Sequence, residues 1–424
     1  MASIKSHQLF QAVTPEDHNA LHGIYRHRCL TDAQLAKHFY GELDDGTNDY
    51  TLMRINELIN NDLVEPNEYK PGCWVYYLTQ RGVRYVRDTS DRVCYTKNEH
   101  NGRRKYEATA GTLRMKDHIL DHQSKLNDLA LEIIQTCGLS PECYRDNLFA
   151  TNFTYAQPDG VFELPNFHIF LEMDMGNEES VILRGKWDHY RNYFLSRDYQ
   201  LHRQKRIIVL FATENVKKLA GRRKIVLRSI TDTSMDLLGP MFDCYIGNSA
   251  EMVDVAHELI TGQCSCFDQV KEQLREYGAV PIDAAPDFVQ TGEWLYLSQN
   301  GQSWLLLNGF RRPISLIKRI AYWHQSKAKL EQTFYSDLRL LILAPGEDEI
   351  CKDLFHAGVI KGLDPNVCFI TLARLKQMPF HKAIFLFDQL GNRYSFKDPD
   401  LKELSYEKRQ YRPYENKTRR GGFK

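Results

Sequence analysis

Between residues 158 and 186 the chain carries a pattern that few folds accommodate. Phe167 to Met173 is an apolar run of strand length, interrupted by His168 and Glu172, and Asp174 follows at once. On a strand, Glu172 and Asp174 fall on one face, because side chains alternate with a period of two. An unpaired carboxylate inside an apolar strand is costly, so a positive partner is required. Pro158-Asp159 leads into Gly-Val-Phe-Glu-Leu, which reads as a hairpin partner, and Lys186 lies in the helical stretch that follows. Asp159, Glu172 and Asp174 converging in this way repel one another unless a cation sits between them. Mg²⁺ or Mn²⁺ fits that need as a metal held by the three carboxylates. Lys186 would then counter charge developing on a phosphate, the layout of a metal-dependent phosphodiesterase. The plainer alternative is an edge strand with a polar face and a lysine on a solvated helix.

Composition excludes little. The 55 Lys and Arg residues balance 55 Asp and Glu, so any polyanion-binding surface must be local. No stretch approaches membrane-spanning length, and the N-terminus has no signal-peptide core. The ten cysteines show neither a disulfide framework nor zinc spacing, Cys264-Ser-Cys266 included. A cytoplasmic protein with reduced thiols is expected.

Residues 1–95 are expected to form a winged helix-turn-helix. Asp17 to Arg26 has helical apolar spacing, and Thr31 with Gln34 makes a capping-box signature. The helix from Tyr50 to Val64 is expected to bury Leu52, Ile55, Leu58 and Ile59. Tyr50, Thr51 and Arg54 would then face DNA, with Lys70 near the wing tip. Such modules also serve as protein-interaction domains.

The motifs run in an order that resembles the plasmid replication-relaxation family of bacterial mobile elements. They are Leu30-Thr-Asp-Ala-Gln-Leu, Asn61-Asp-Leu-Val, Tyr77-Leu-Thr-Gln-Arg-Gly and Asp121-His-Gln-Ser-Lys-Leu-Asn-Asp-Leu-Ala-Leu. Pro158-Asp159, Leu171-Glu-Met-Asp-Met-Gly, Lys186 to Tyr190, and Arg206-Ile-Ile-Val-Leu-Phe-Ala-Thr complete the series. The resemblance covers residues 16 to 247 and implies a winged helix followed by a PD-(D/E)XK nuclease-like core. That nuclease pattern has lysine where this chain has Asp174, so Lys186 would supply the charge. His122 matches the family's histidine and joins the catalytic candidates, to place water or bind phosphate. Capping a polar contact at the edge of the core is the plainer role for it.

The expected architecture is α/β (α+β): the winged helix, a linker over 96–116, the nuclease-like core over 117–262, and a second α/β lobe over 263–395. That lobe reads as a degenerate second copy of the core. Phe267 to Gly278 echoes the helix before the core, Pro286-Asp287 echoes Pro158-Asp159, and Trp304-Leu-Leu-Leu-Asn-Gly replaces the acidic strand. Residues 396–424 form a basic, tyrosine-rich tail suited to phosphates and bases. Together these predict a DNA-binding protein acting in replication, relaxation or transfer of a mobile element, as a metal-dependent nickase. The alternative is a non-catalytic accessory factor with an inactive core. Expected partners are double-stranded DNA, a relaxase or replication protein, and a second copy in a homodimer.

Overall fold

The computed structural model describes residues 13–41, 49–90, 95–97, 105–153, 155–176, 179–201, 205–214, 219–282, 293–298, 300–333 and 338–407. The chain divides into two compact units, Met1–Leu237 with Met241–Gln263, and Leu238–Pro240 with Cys264–Lys424. The architecture is mixed α/β throughout.

The first unit opens with helix α1 (Pro15–His27), which starts at a capping box between Thr14 and Asp17. Strand β1 (Leu30–Thr31) leads into the short helix α2 (Asp32–Leu35), where Thr31 and Gln34 form the anticipated capping box, and then a π-turn, Ala36–Tyr40. Helix α3 (Asp49–Asn60) is followed by β2 (Val64–Lys70), β3 (Cys73–Leu78) and α4 (Gln80–Thr89). The strands form an antiparallel sheet in the order β1-β3-β2. Thr79 caps α4 by accepting from Gly82 N, and a Cβ at Gly82 would stand 2.1 Å from Leu63 O. Only glycine lets α4 pack this closely on the start of β2.

The expected linker contains a hairpin, β4 (Tyr95–Lys97) with β5 (Lys105–Glu107), and a short helix α5 (Ala110–Leu113). Leu113 is fully buried. An apolar side chain anchored in this way is why the segment folds locally instead of running free.

Helix α6 (Leu120–Cys137), ending at Gly138 with φ of 60°, introduces the larger sheet of this unit. Strands β6 (Tyr144–Asp146), β7 (Gly160–Glu163) and β8 (Phe167–Asp174) pair antiparallel; β9 (Arg206–Thr213) and β10 (Phe242–Gly247) continue parallel to β8. Helices α7 (Ser180–Leu195) and α8 (Arg197–Leu201) connect β8 to β9, α9 (Leu219–Ser234) connects β9 to β10, and α10 (Ser249–Thr261) follows. On one face Ile169, Leu171 and Met173 pack with Leu126, Ile133 and Val255 of α6 and α10. The opposite face carries Phe170, Glu172 and Asp174 beneath α7 and α9.

The second unit begins with α11 (Ser265–Glu276). It then builds an eight-stranded sheet in sequence order from β11 (Val280–Pro281), β12 (Glu293–Leu297), β13 (Ser303–Asn308), β14 (Leu338–Leu343), β15 (Val367–Ile370), β16 (Phe385–Phe387), β17 (Arg393–Phe396) and β18 (Leu404–Glu407). Helices α12 (Ile314–Ala321) and α13 (Trp323–Thr333) precede β14, and α14 (Glu347–His356) precedes β15. The expected tail from residue 396 therefore starts as sheet, because β18 pairs with β17 from Arg393 to Phe396; residues 408–424 lie outside the described residues, as do Pro286 and Asp287.

Candidate functional site

Four of the five catalytic candidates meet at the C-terminal end of β8. Glu172 is fully buried; Lys186 Nζ donates to its Oε2 at 2.7 Å and the Tyr190 hydroxyl to its Oε1 at 2.5 Å. Both partners come from α7, one helical turn apart, so a single helix face serves both oxygens. Asp159, at the entrance to β7, accepts the Met173 N–H at 2.8 Å. His122, near the start of α6, places Nε2 2.9 Å from Met173 O and 3.4 Å from Asp159 Oδ2.

Charge follows from this packing. Burial pushes Glu172 from its ordinary 4.5 up to about 7, against the pull of Lys186 and with added repulsion from Asp159. Burial acts the same way on Asp159, but His122 and Lys186 outweigh it and hold that carboxyl below its usual value. For His122 burial disfavours the proton, and the Asp159 carboxylate and Met173 carbonyl reverse this, raising its pKa. His122 Nε2 thus stands between a carboxylate and a carbonyl oxygen.

Asp174 shares a strand face with Glu172, as expected, yet belongs to a different pair. Arg222 of α9 clamps it through Nε and through Nη2, the latter at 2.8 Å from Oδ1, and Gly176 N–H donates to the same oxygen at 3.0 Å. Both side chains are buried. The three carboxylates were expected to hold Mg²⁺ or Mn²⁺ between them. Here both oxygens of Glu172 and both of Asp174 are engaged by protein donors, and His122 stands between Asp159 and the Met173 carbonyl. Among the described residues no group of three or more His, Cys, Asp and Glu is arranged to hold a metal ion. The donor set as placed does not fit the expected metal.

Helix α6 does more than position His122. Asn127 Nδ2 donates to Cys29 O at 2.7 Å and His27 O at 3.3 Å, the carbonyls that close α1. Gln123 Nε2 reaches Asp146 at 3.0 Å and Asn127 Oδ1 at 2.9 Å, and Gln34 of α2 donates to Asp128 at 2.7 Å and Ser124 O at 2.9 Å. The stretch from Asp121 to Leu131 is thus a clamp holding the N-terminal elements against the large sheet. Lys70, assigned to DNA, pairs with Asp121 across the same junction.

The outward-facing assignments of Thr51 and Arg54 require correction. Thr51 and Arg54 are 2% and 8% exposed, and Arg54 is held by Asp17 and Glu57. Leu52 and Met53 face outward instead, at 43% and 47%; Tyr50 is 39% exposed, its ring edge-on to Tyr40. The helix is rotated from the expected register because Asp17, buried at the start of α1, draws Arg54 inward. Sequence reasoning assigned no role to Arg222, nor to Gln123 and Asn127, although both of the latter stand in the motif that begins at Asp121. The adjacent arginines Arg222 and Arg223, within a helix that must cover an apolar sheet, were the signal for a buried cation.

Residues 21–210 match the replication-relaxation family. The match runs from α1 through the clamp and the carboxylate row into β9, and it points to a role in replication or relaxation of a plasmid or mobile element. No curated protein and no solved structure matches the chain. No helix among the described residues is long and apolar enough to cross a membrane.

Proposed function

We propose that this protein is a DNA-binding accessory factor of plasmid or mobile-element replication or relaxation, and that its nuclease-like core serves as a scaffold. The observation that carries this reading is the internal pairing of the carboxylate row: Asp159 with His122, Glu172 with Lys186 and Tyr190, Asp174 with Arg222. Each acid has a partner supplied by the chain itself, and both oxygens of Glu172 and of Asp174 are engaged by protein donors. Residues 15–89 are read as a winged helix that docks on DNA, and α6 holds it to the core so that both move as one body. A purified sample is expected to shift duplex DNA in a salt-sensitive manner while leaving supercoiled plasmid intact in Mn²⁺. Nicking by the unaltered protein that disappears in Glu172→Gln would overturn the scaffold reading in favour of a metal-dependent endonuclease.

A further inference from the structure

The surface of the N-terminal elements divides sharply by charge. Helix α3, the element a winged helix would place in the major groove, exposes Leu52, Met53, Asn56, Glu57 and Asn60. Its one arginine is buried against Asp17. From residue 49 to 62 the sequence has three acidic residues against one basic. Helix α4 is the reverse. Gly82, Val83 and Val86 face the core, while Arg81 and Arg84 stand exposed on the outer side, with no carboxylate partner among the described residues. Arg87, one turn on, pairs with Glu107 of β5. From residue 80 to 89 the sequence has three basic residues against one acidic, in a chain whose total charge is zero.

We propose that Arg81 and Arg84 of α4 form the surface that meets the phosphate backbone of duplex DNA, and that α3 does not. The inference rests on the DNA-binding reading above and names the face that carries it. Two arginines three residues apart lie on one side of a helix, separated by about 4.5 Å of rise. They present forked donors to successive phosphates without reading bases. An acidic, apolar α3 laid in the groove would instead set carboxylates against phosphates.

The test is binding of the full chain to two duplex oligonucleotides of unrelated sequence over a salt series. Three variants are compared: Arg81→Ala/Arg84→Ala, Arg81→Lys/Arg84→Lys, and Asn56→Ala/Asn60→Ala. The alanine pair is expected to lower the slope of log affinity against log salt by about 2, equally for both duplexes. The lysine pair, which keeps the charge and reports on correct folding, is expected to retain the slope. The asparagine pair is expected to bind like the unaltered protein. Unchanged binding by the alanine pair, or loss of binding in the asparagine pair, overturns the assignment while leaving DNA binding intact. Absence of salt-dependent affinity in the unaltered protein would remove the DNA-binding reading itself.

Discussion

In the first unit β6, β7 and β8 run antiparallel and β9 and β10 then continue parallel to β8; in the second, β11, β12 and β13 followed by β14 and β15 repeat those directions in the same order. Helices occupy corresponding places: α6 and α11 before the meander, α7–α8 and α12–α13 before the next strand, α9 and α14 before the one after. The central strands nevertheless differ in chemistry. β8 carries His168, Glu172 and Asp174, whereas β13 is Ser-Trp-Leu-Leu-Leu-Asn, with no ionisable group. The difference extends to the helices above: α7 and α9 send Lys186 and Arg222 down onto β8, while α12 lays Ile314, Ile317 and Ile320 in the interior of its own unit. A buried acid and its cation are one design element, present together or absent together, since either alone is strongly unfavourable.

The sharpest way to break that comparison is to put an acid where no cation waits. Leu306→Asp, at a fully buried position of β13, is expected to destabilise the second unit by more than about 4 kcal/mol. Retention of the native unfolding transition in a denaturant titration would show that this lobe tolerates charge after all. Next in size is Arg222→Ala, which strands Asp174 and is expected to cost about 3–5 kcal/mol in the same measurement, while Asp174→Leu with Arg222→Met recovers most of the loss.

A smaller effect is expected from proton linkage at Glu172. With its folded pKa near 7 and its ordinary value 4.5, the unfolded chain releases this proton first as pH rises. Its contribution to stability therefore declines between about pH 4.5 and 7, and Glu172→Gln removes the decline. Melting temperatures of the two proteins that stay parallel across that window would refute the assignment. Smallest of all is Arg184→Ala, which loses an ion pair with Asp232 that is more than half exposed. Its stability is expected to stay within about 0.5 kcal/mol of the unaltered protein, and a larger loss in denaturant would blur the contrast between buried and surface pairs.

The strand alternation at Glu172 and Asp174 and the lysine on the next helix were legible in the sequence because each follows from local period or motif order. The rotation of α3 was not. Thr51, Arg54, Ile55 and Leu58 fit a helical face as well as the apolar set Leu52, Ile55, Leu58 and Ile59, and Asp17, which decides between them, lies 37 residues before Arg54. Arg222 escaped notice for a like reason, standing 48 residues beyond Asp174. Local pattern sets the candidates, and distant electrostatic partners choose among them.

The clamp on α6 also redraws where the N-terminal elements can be cut from the chain. Leu131 and Phe149 share one apolar cluster with Leu21, Ile24 and Val83, and Leu120 shares another with Cys29, Val75 and Tyr77. A fragment ending near residue 95 would leave those surfaces open to water and the His27 and Cys29 carbonyls without their amide donors. The smallest free-standing fragment that keeps these N-terminal elements covered therefore extends past residue 149, through a segment that sequence alone assigns to its neighbour.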